Sequence, residues 1–212
     1  AIFNVAETTL PHLSDIAMGV VNRYQLFLDN AFVTLTEAVL GFFLSISIGL
    51  GLAIAMTYAK SIRRAIYPVL VGFRSVPKIP LAPVFIVWFG LGILSKIMMA
   101  FFVSFFPIVV MSVSGLADIP KSVEDLSRSL KMSNKQMFTK IRLPHAIPKI
   151  FDGIKVGWPL ALIGASIGEF VGANRGLGNL AIIEMDIMQT DLVFGVLVYI
   201  SIFAVAIFGF IL

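Results

Sequence analysis

The chain has 212 residues, of which 58% are hydrophobic and 13% charged, with a formal net charge of +4 and a mean hydropathy of +0.98. Soluble domains contain about 45–50% apolar and about 25% charged residues, so this composition excludes a soluble enzyme and a disordered or nucleic-acid-binding chain. Because the chain has no cysteine, it has no disulfide, thiolate metal site or cysteine nucleophile, and the composition indicates a protein of the lipid bilayer.

The first predicted element is an amphipathic helix over residues 14–28, with Ser14 as its N-cap, lying in the outer interface of the membrane. Five membrane spans follow, because one crossing needs about 20 apolar residues. Uncharged segments and their flanks place these spans at residues 34–59, 68–92, 97–117, 151–172 and 192–212. The second span carries three prolines between residues 77 and 83 and the fourth carries Pro159, so kinks are expected in both.

Small residues recur at four-residue spacing on the first and fourth spans. The first span has Gly41, Ser45, Gly49 and Ala53 on one face, and the fourth has Gly164, Gly168 and Gly172. Such stripes let helices approach closely in lipid, which predicts helix packing. A face that lines a permeation pathway is the alternative interpretation.

The basic residues orient the spans, because cytoplasmic loops carry the positive excess. Lys60, Arg63 and Arg64 lie in one short connection, and residues 118–150 carry a second, larger cluster of lysine and arginine. Both connections are therefore predicted to be cytoplasmic, with the first thirty residues outside and the far end of the chain directed to the cytoplasm.

The connection over residues 118–150 contains more structure than a solvated linker needs. A short helix is predicted over residues 124–131, with Leu126 and Leu130 on its apolar face. A second is predicted over residues 134–141, because Ser133 and Gln136 have the spacing of a capping box, and the prolines after it separate it from the next span. Apolar side chains within basic surroundings favour a docking surface for a partner, with a plain linker as the alternative.

The stretch DLSRSLKMSNKQMFTKIRLP at residues 125–144 resembles the signature loop of bacterial ABC-importer permeases. That signature reads Glu-Ala-Ala, three residues, Gly, nine residues, Ile, one residue, Leu-Pro. Its last three identities match Ile141, Leu143 and Pro144, whereas Asp125, Leu126 and Ser127 replace Glu-Ala-Ala. Lys131 stands at the Gly position, where Gly would allow a positive φ, so Lys131 either makes the sharp turn with strain or the turn differs.

Three further segments are similar to the nitrate, taurine and alkanesulfonate branch of that family. They are RSVPKIPLAPVFIVWFGLGILSK at residues 74–96, FFPIVVMSVSGL at residues 105–116 and GEFVGANRGLGNL at residues 168–180. The resemblance implies an all-α membrane protein, a polytopic helical bundle of the type I ABC-importer permease kind. Residues 1–212 would form a single permease domain with residues 118–150 as its cytoplasmic coupling loop, and a sixth, amino-terminal span would precede residue 1.

The resemblance also implies a function. The chain would be the permease subunit of an ATP-driven importer of a small anionic nutrient, such as nitrate, a sulfonate or taurine, in the bacterial inner membrane. Its partners would be a second permease subunit, most simply an identical one, two ATPase subunits and an extracytoplasmic solute-binding protein. ATP and Mg would bind to the ATPase, and this chain would have no catalytic site, metal, cofactor or nucleic acid partner. A channel or ion-coupled carrier that works without ATP is the alternative.

The site residues implied for ATPase docking are Asp125, Arg128, Leu130, Lys131, Ser133, Lys135, Met137, Phe138, Ile141, Arg142, Leu143 and Pro144. Leu130, Met137 and Phe138 would be the apolar anchors. Arg74, Lys78 and Glu169 are candidates for the translocation pathway or its gate, because ionisable residues in spans are costly and often functional. The alternative interpretation of Arg74 is that its side chain snorkels to the membrane interface. The alternative interpretation of Glu169 is a structural ion pair with Arg175.

Overall fold

The computed structural model describes residues 11–73 and 76–211, and within them the chain forms helices and no strand. In chain order the helices are α1 (Leu13–Asn22), α2 (Tyr24–Tyr58), α3 (Lys60–Phe73), a 3-10 turn (Ile79–Leu81) that runs into α4 (Ala82–Phe89), α5 (Ile93–Ala117), α6 (Lys121–Ser129), α7 (Asn134–Met137), α8 (Leu143–Gly172), α9 (Leu177–Asp186) and α10 (Thr190–Ile211). A π turn, Phe138–Arg142, joins α7 to α8. The predicted all-α polytopic bundle is confirmed.

Within the described residues, four helical runs are long and apolar enough to cross a membrane: α2, α5, α10 and the continuous run Asn134–Gly172. They correspond to four of the five predicted spans. The fifth, predicted over residues 68–92, is not one continuous helix: α3 ends at Phe73 and helical structure resumes at Ile79. Proline lacks the N–H that a helix needs and its ring clashes with the preceding turn, so Pro77 and Pro80 account for the break.

Two predicted local features also differ from the structure. The amphipathic segment 14–28 is divided at Arg23 into α1 and the start of α2, and the N-cap of α1 is His12, not Ser14. The helix predicted over residues 134–141 does not end before Pro144 but continues through the π turn into α8. A π turn widens the hydrogen-bonded ring immediately before the proline, where the regular α-helical ladder is interrupted.

The centre of the bundle is α5, which packs between α2 and α8 through small residues. Ala100 of α5 lies between two glycines: a Cβ on Gly41 of α2 would be 2.6 Å from the Ala100 Cβ, and one on Gly164 of α8 would be 2.7 Å from the Ala100 Cα. The Ser45 and Ser104 hydroxyls also hydrogen-bond across the α2–α5 contact at 2.6 Å. The small residues therefore lie at helix contacts, as predicted, where close approach favours association in lipid.

The two ends of the bundle carry different connections. The ring of Tyr58, at the end of α2, lies 5.4 Å from the ring of Phe138 in the π turn. The connections at residues 59–60 and 118–142 therefore share one end, which we call the basic end. At the opposite end, Arg23 Nη1 lies 3.4 Å from Glu184 Oε1 and joins the start of α2 to α9. This arrangement agrees with the predicted alternation of the spans.

Candidate functional site

Helix α6 presents an apolar surface at the basic end. Leu126 and Leu130 lie one helical turn apart and are 59% and 66% exposed. Asp125 and Arg128 are exposed on the same helix, whereas Ser127 is buried and its hydroxyl donates to the Glu124 carbonyl at 2.7 Å. We call the two exposed leucines the α6 ridge. Of the residues predicted to dock a partner, those of α6 lie on the outside of the chain.

The turn after α6 is sharp and contains a residue with a positive φ. Lys131 adopts φ 51°, in the left-handed region that glycine occupies most easily. Its N–H donates to the Arg128 carbonyl at 2.9 Å, and the Met132 N–H donates to the Ser127 carbonyl at 3.1 Å. The sharp turn is therefore made with Lys131 in place, at a conformational cost of roughly 1 kcal/mol for a residue with a Cβ.

The predicted capping box at the start of α7 is confirmed. The Ser133 hydroxyl accepts a hydrogen bond from the Gln136 N–H at 3.3 Å, and the Gln136 side chain accepts one from the Ser133 N–H at 2.9 Å. Two N–H groups at the beginning of α7 are thereby satisfied. Lys135, the next predicted docking residue, is exposed beside this cap.

The apolar residues that follow the cap face the bundle. Met137 is buried, and Phe138 is half-buried against Tyr58 and the core of α2, α5 and α8. Ile141 and Leu143 are half-buried, while Pro144 is exposed. The role of Met137 and Phe138 as anchors for a partner stays a prediction, and both residues also contact their own chain. Because α7 continues into α8, its apolar side packs on the chain itself and positions α6.

Arg142 connects α6 to the spans. Its Nη1 donates to the Leu116 carbonyl at the end of α5 at 3.2 Å, and its Nη2 lies 3.7 Å from Glu124 Oε1 of α6. Arg128 Nη2 lies 3.2 Å from the same Glu124 oxygen. The position of α6 is thus linked to α5 and α8 through one guanidinium, whose planar array of donors suits several simultaneous contacts.

A separate ion pair at the basic end joins Asp118, just after α5, to Lys149 of α8. The hydrogen bond from Lys149 holds the pKa of the Asp118 carboxyl below its ordinary value. Both side chains are exposed, so solvent screens the interaction and it orients the two helix ends more than it stabilises them.

The three predicted pathway residues have different surroundings. Arg74 lies outside the described residues. Lys78 is half-buried in the break between α3 and the 3-10 turn. Glu169 is fully buried near the end of α8 and does not pair with Arg175, which is exposed. A pathway role for each of these residues stays a prediction.

Glu169 holds the beginning of α9 together with two side chains of α2. The Asn30 side chain accepts from the Gly176 N–H at 2.7 Å, Thr34 Oγ1 accepts from the Leu177 N–H at 2.8 Å, and Glu169 Oε2 accepts from the Gly178 N–H at 2.6 Å. Thr34 Oγ1 also donates to Glu169 Oε1 at 2.7 Å. A carboxylate at a helix N-terminus satisfies free N–H groups and is stabilised by the helix dipole. We call these three side chains the α9 cap.

Two glycines allow the carboxylate to approach this closely. Gly176 has φ 114°, and a Cβ there would collide with the Glu169 carboxylate. A Cβ on Gly178 would lie 2.7 Å from the Ser166 carbonyl oxygen and 2.8 Å from Glu169 Oε2. The two glycines of the Gly-Leu-Gly sequence therefore provide the space in which the α9 cap reaches the backbone N–H groups.

Lys96 was not among the predicted site residues, because in the sequence it only marks the boundary of a span. Lys96 is buried, and its Nζ donates to the carbonyls of Leu91 at 2.5 Å and Gly172 at 2.7 Å. The ammonium thus provides a hydrogen-bond donor for a carbonyl at the end of α8 and for a carbonyl in the turn before α5. Glu37 is buried nearby and contacts Glu169. In the sequence, Glu37 and Lys96 are single charged residues, each at the edge of a long apolar run, and this is the signal that could have identified them.

Comparison with known proteins gives a consistent assignment. A family described as binding-protein-dependent transport system inner membrane component matches residues 46–212. The formylaminopyrimidine transport permease protein ThiX of Halalkalibacterium halodurans is 36% identical over 170 residues, covering 80% of this chain and 68% of that protein. The taurine transport system permease protein TauC of Escherichia coli is 28% identical over 171 residues, covering 81% and 62%.

Solved structures share the fold. A chain of the MetNI methionine ABC transporter in an inward-facing conformation superposes with a TM-score of 0.69 at 21% identity, covering 89% of this chain and 97% of that one. A chain of an amino acid ABC transporter solved with histidines gives a TM-score of 0.71 at 17% identity, covering 92% of each chain. At these identities the likeness establishes the architecture of the bundle.

Proposed function

The chain belongs to the family of binding-protein-dependent transport system inner membrane components, and we propose that it couples solute movement to ATP hydrolysis on a partner protein. It is a multi-pass transport permease of the inner membrane. The proposed assembly contains two copies of this permease, two ATPase subunits that bind ATP and Mg, and an extracytoplasmic protein that delivers the solute.

The α6 ridge is the observation that carries the proposal. Two large apolar side chains, Leu126 and Leu130, are exposed at the basic end, where no lipid is expected to cover them. Asp125, Arg128 and Lys131 are exposed around them and supply a charged rim. An apolar centre with a polar rim is the usual anatomy of a protein interface, so we assign the ridge to the ATPase.

The continuous run Asn134–Gly172 supplies the mechanical connection. Movement of α6, caused by closure of the two ATPase subunits, reaches α5 and α8 through Arg142 and Glu124. Because α8 carries Glu169 near its other end, displacement of α8 also shifts α9 through the α9 cap. This arrangement supports alternating access in which ATP binding at one end changes the opening at the other.

The experiment is copurification of the permease with its ATPase from membranes. We expect the double variant Leu126→Asp, Leu130→Asp to lose the ATPase and ATP-dependent uptake, while its amount in the membrane is unchanged because both side chains are exposed. Ser122→Asp, an exposed change in the first turn of α6, is the matched control and keeps the ATPase. Retention of the ATPase by the double variant would refute the assignment.

The proposed solute is a small anionic nutrient, as expected from the resemblance to nitrate, taurine and sulfonate permeases. The ammonium of Lys78 in the broken span supports an anion, because it offers positive charge at a place where lipid offers none. A pyrimidine precursor is a second candidate, favoured by the 36% identity to a formylaminopyrimidine permease. Solute-dependent stimulation of ATP hydrolysis in the assembled transporter discriminates between the two.

A further inference from the structure

Three ionisable side chains are buried together where α2, α5 and α8 meet. Glu37 of α2, Lys96 of α5 and Glu169 of α8 are 3%, 2% and 0% exposed. A Cβ on Gly168 would lie 3.2 Å from both Cα and Cγ of Lys96, so α5 and α8 are in close contact beside Glu169. Because the three groups are shielded from solvent, their charges must be compensated by neighbouring groups of the protein.

The ammonium of Lys96 is bound by backbone carbonyls. Its Nζ donates to the carbonyls of Leu91 at 2.5 Å, Gly92 at 3.3 Å and Gly172 at 2.7 Å. These three bonds use the three hydrogens of the ammonium, so Lys96 acts on the two carboxyl groups through its charge and not through a hydrogen bond. One positive charge balances one carboxylate, and a second ionised carboxylate would leave a net buried charge, which is costly.

The two carboxyl groups have different hydrogen-bond partners. Glu169 Oε1 accepts from Thr34 Oγ1 at 2.7 Å and Oε2 accepts from the Gly178 N–H at 2.6 Å, short contacts that suit a carboxylate. The Glu37 carboxyl contacts that of Glu169, and its buried Oε2 has no hydrogen-bond partner among the described residues. Two carboxylates cannot hydrogen-bond to each other, because neither has a hydrogen to donate.

We propose that Glu37 carries a proton and donates it in a hydrogen bond to the carboxylate of Glu169. The pair then has one negative charge, which the ammonium of Lys96 balances. Within the described residues these are the charged groups that face Glu37, and α9 faces the pair with backbone N–H groups of its first turn. The assignment does not depend on the proposed function.

This proton makes Glu37 a positioning residue for the α9 cap. Asn30, Thr34 and Glu37 are spaced four and three residues apart, which places them on one side of α2. Asn30 and Thr34 bind the first N–H groups of α9 directly, whereas Glu37 acts through Glu169, whose other contacts it leaves free for Thr34 and Gly178. Ionisation of Glu37 would bring two carboxylates into contact and weaken the link between α2 and α8.

Infrared spectroscopy of the assembled transporter tests the assignment, because a protonated carboxyl has a C=O band that a carboxylate lacks. At neutral pH an ordinary glutamate is ionised. We expect the difference spectrum between the unmodified protein and Glu37→Gln to contain one such band, which shifts in D2O. Asp29→Asn removes an exposed carboxylate from the same helix and should leave the band unchanged. A difference spectrum without the band would overturn the proposal.

Thermal unfolding gives a second test, because a glutamine keeps a donor at position 37 but removes an acceptor at position 169. We expect Glu37→Gln to unfold at the temperature of the unmodified protein and Glu169→Gln to unfold at a lower one. The reverse order would place the proton on Glu169 and contradict the assignment.

The pH dependence of unfolding distinguishes the proton from a purely structural contact. Above neutral pH the folded protein would hold one proton that the unfolded chain has lost, so stability should fall as pH rises, by about tenfold in the unfolding equilibrium constant for each pH unit. Glu37→Gln should lose this component and Asp29→Asn should keep it. The same dependence in the unmodified protein and in Glu37→Gln would overturn the inference.

Discussion

The carboxylate of Glu169 accepts a hydrogen bond from the backbone N–H of Gly178 at 2.6 Å, so the end of α8 holds the beginning of α9. The other oxygen of the same carboxylate accepts from Thr34 of α2 at 2.7 Å. Three helices, α2 and the consecutive helices α8 and α9, are joined at this one group. We expect α2, α8 and α9 to move as a unit. The pathway would then open and close where these three helices contact other helices, and not at the contacts among the three.

Removal of this group is expected to destabilise the protein. In Glu169→Ala the buried Gly178 N–H loses its partner, which costs about 1–3 kcal/mol. The measurement is thermal unfolding of the detergent-purified protein, in which the variant should unfold at lower temperature. Asp186→Ala changes an exposed carboxylate at the end of α9 and is the control. Equal stability of the two variants would contradict the structural role of Glu169.

A pair of glycine substitutions tests the close approach in the α9 cap. Gly178→Ala places a methyl group 2.7 Å from the Ser166 carbonyl oxygen, so it should destabilise the protein by about 1–3 kcal/mol. Gly51→Ala places a methyl group in open space on α2 and should stabilise it by about 0.5–1 kcal/mol. Unfolding curves of the two variants that shift in the same direction would be inconsistent with this geometry.

The turn at Lys131, between α6 and α7, gives a testable prediction. Lys131→Gly removes the cost of a positive φ and should leave the protein as stable or more stable by up to about 1 kcal/mol, with the ATPase still bound. Lys131→Val, with a β-branched side chain in the same conformation, should lower both stability and ATPase copurification. If valine is tolerated as well as glycine, the left-handed turn is not required for coupling.

The charge of Lys78 is expected to matter for an anionic solute. Lys78→Met removes a favourable electrostatic contact and should lower uptake of an anion roughly tenfold, which corresponds to about 1.4 kcal/mol. Lys78→Arg keeps the charge and is expected to retain most of the uptake. Unchanged anion uptake by Lys78→Met would exclude Lys78 from selection of an anionic solute.

Local patterns in the sequence were sufficient for much of the fold. Uncharged runs located α2, α5, α8 and α10, because the membrane imposes both length and composition on a span. The capping box at Ser133 was also predictable, since it depends on residues close together in the chain, whereas the sequence left open whether Lys131 makes the sharp turn.

Contacts between distant residues were not predictable in the same way. Lys96 bonds to Gly172, and Asn30 and Thr34 bond to the start of α9, so each partner is identified only after the helices are packed. The inward direction of Phe138 depends on the π turn, which carries no strong sequence signal. For the second span, the apolar composition predicted a crossing and the prolines predicted a kink, but the full interruption between α3 and the 3-10 turn was not predicted.

Solute uptake by proteoliposomes tests the central claim most directly. The permease is reconstituted with its ATPase, solute is supplied on its binding protein, and accumulation is measured with and without ATP. We predict that accumulation requires ATP, the ATPase and the binding protein together, and is lost in the Leu126→Asp, Leu130→Asp variant. Accumulation driven by an ion or solute gradient alone, without nucleotide, would contradict the account and would identify a channel or a secondary carrier.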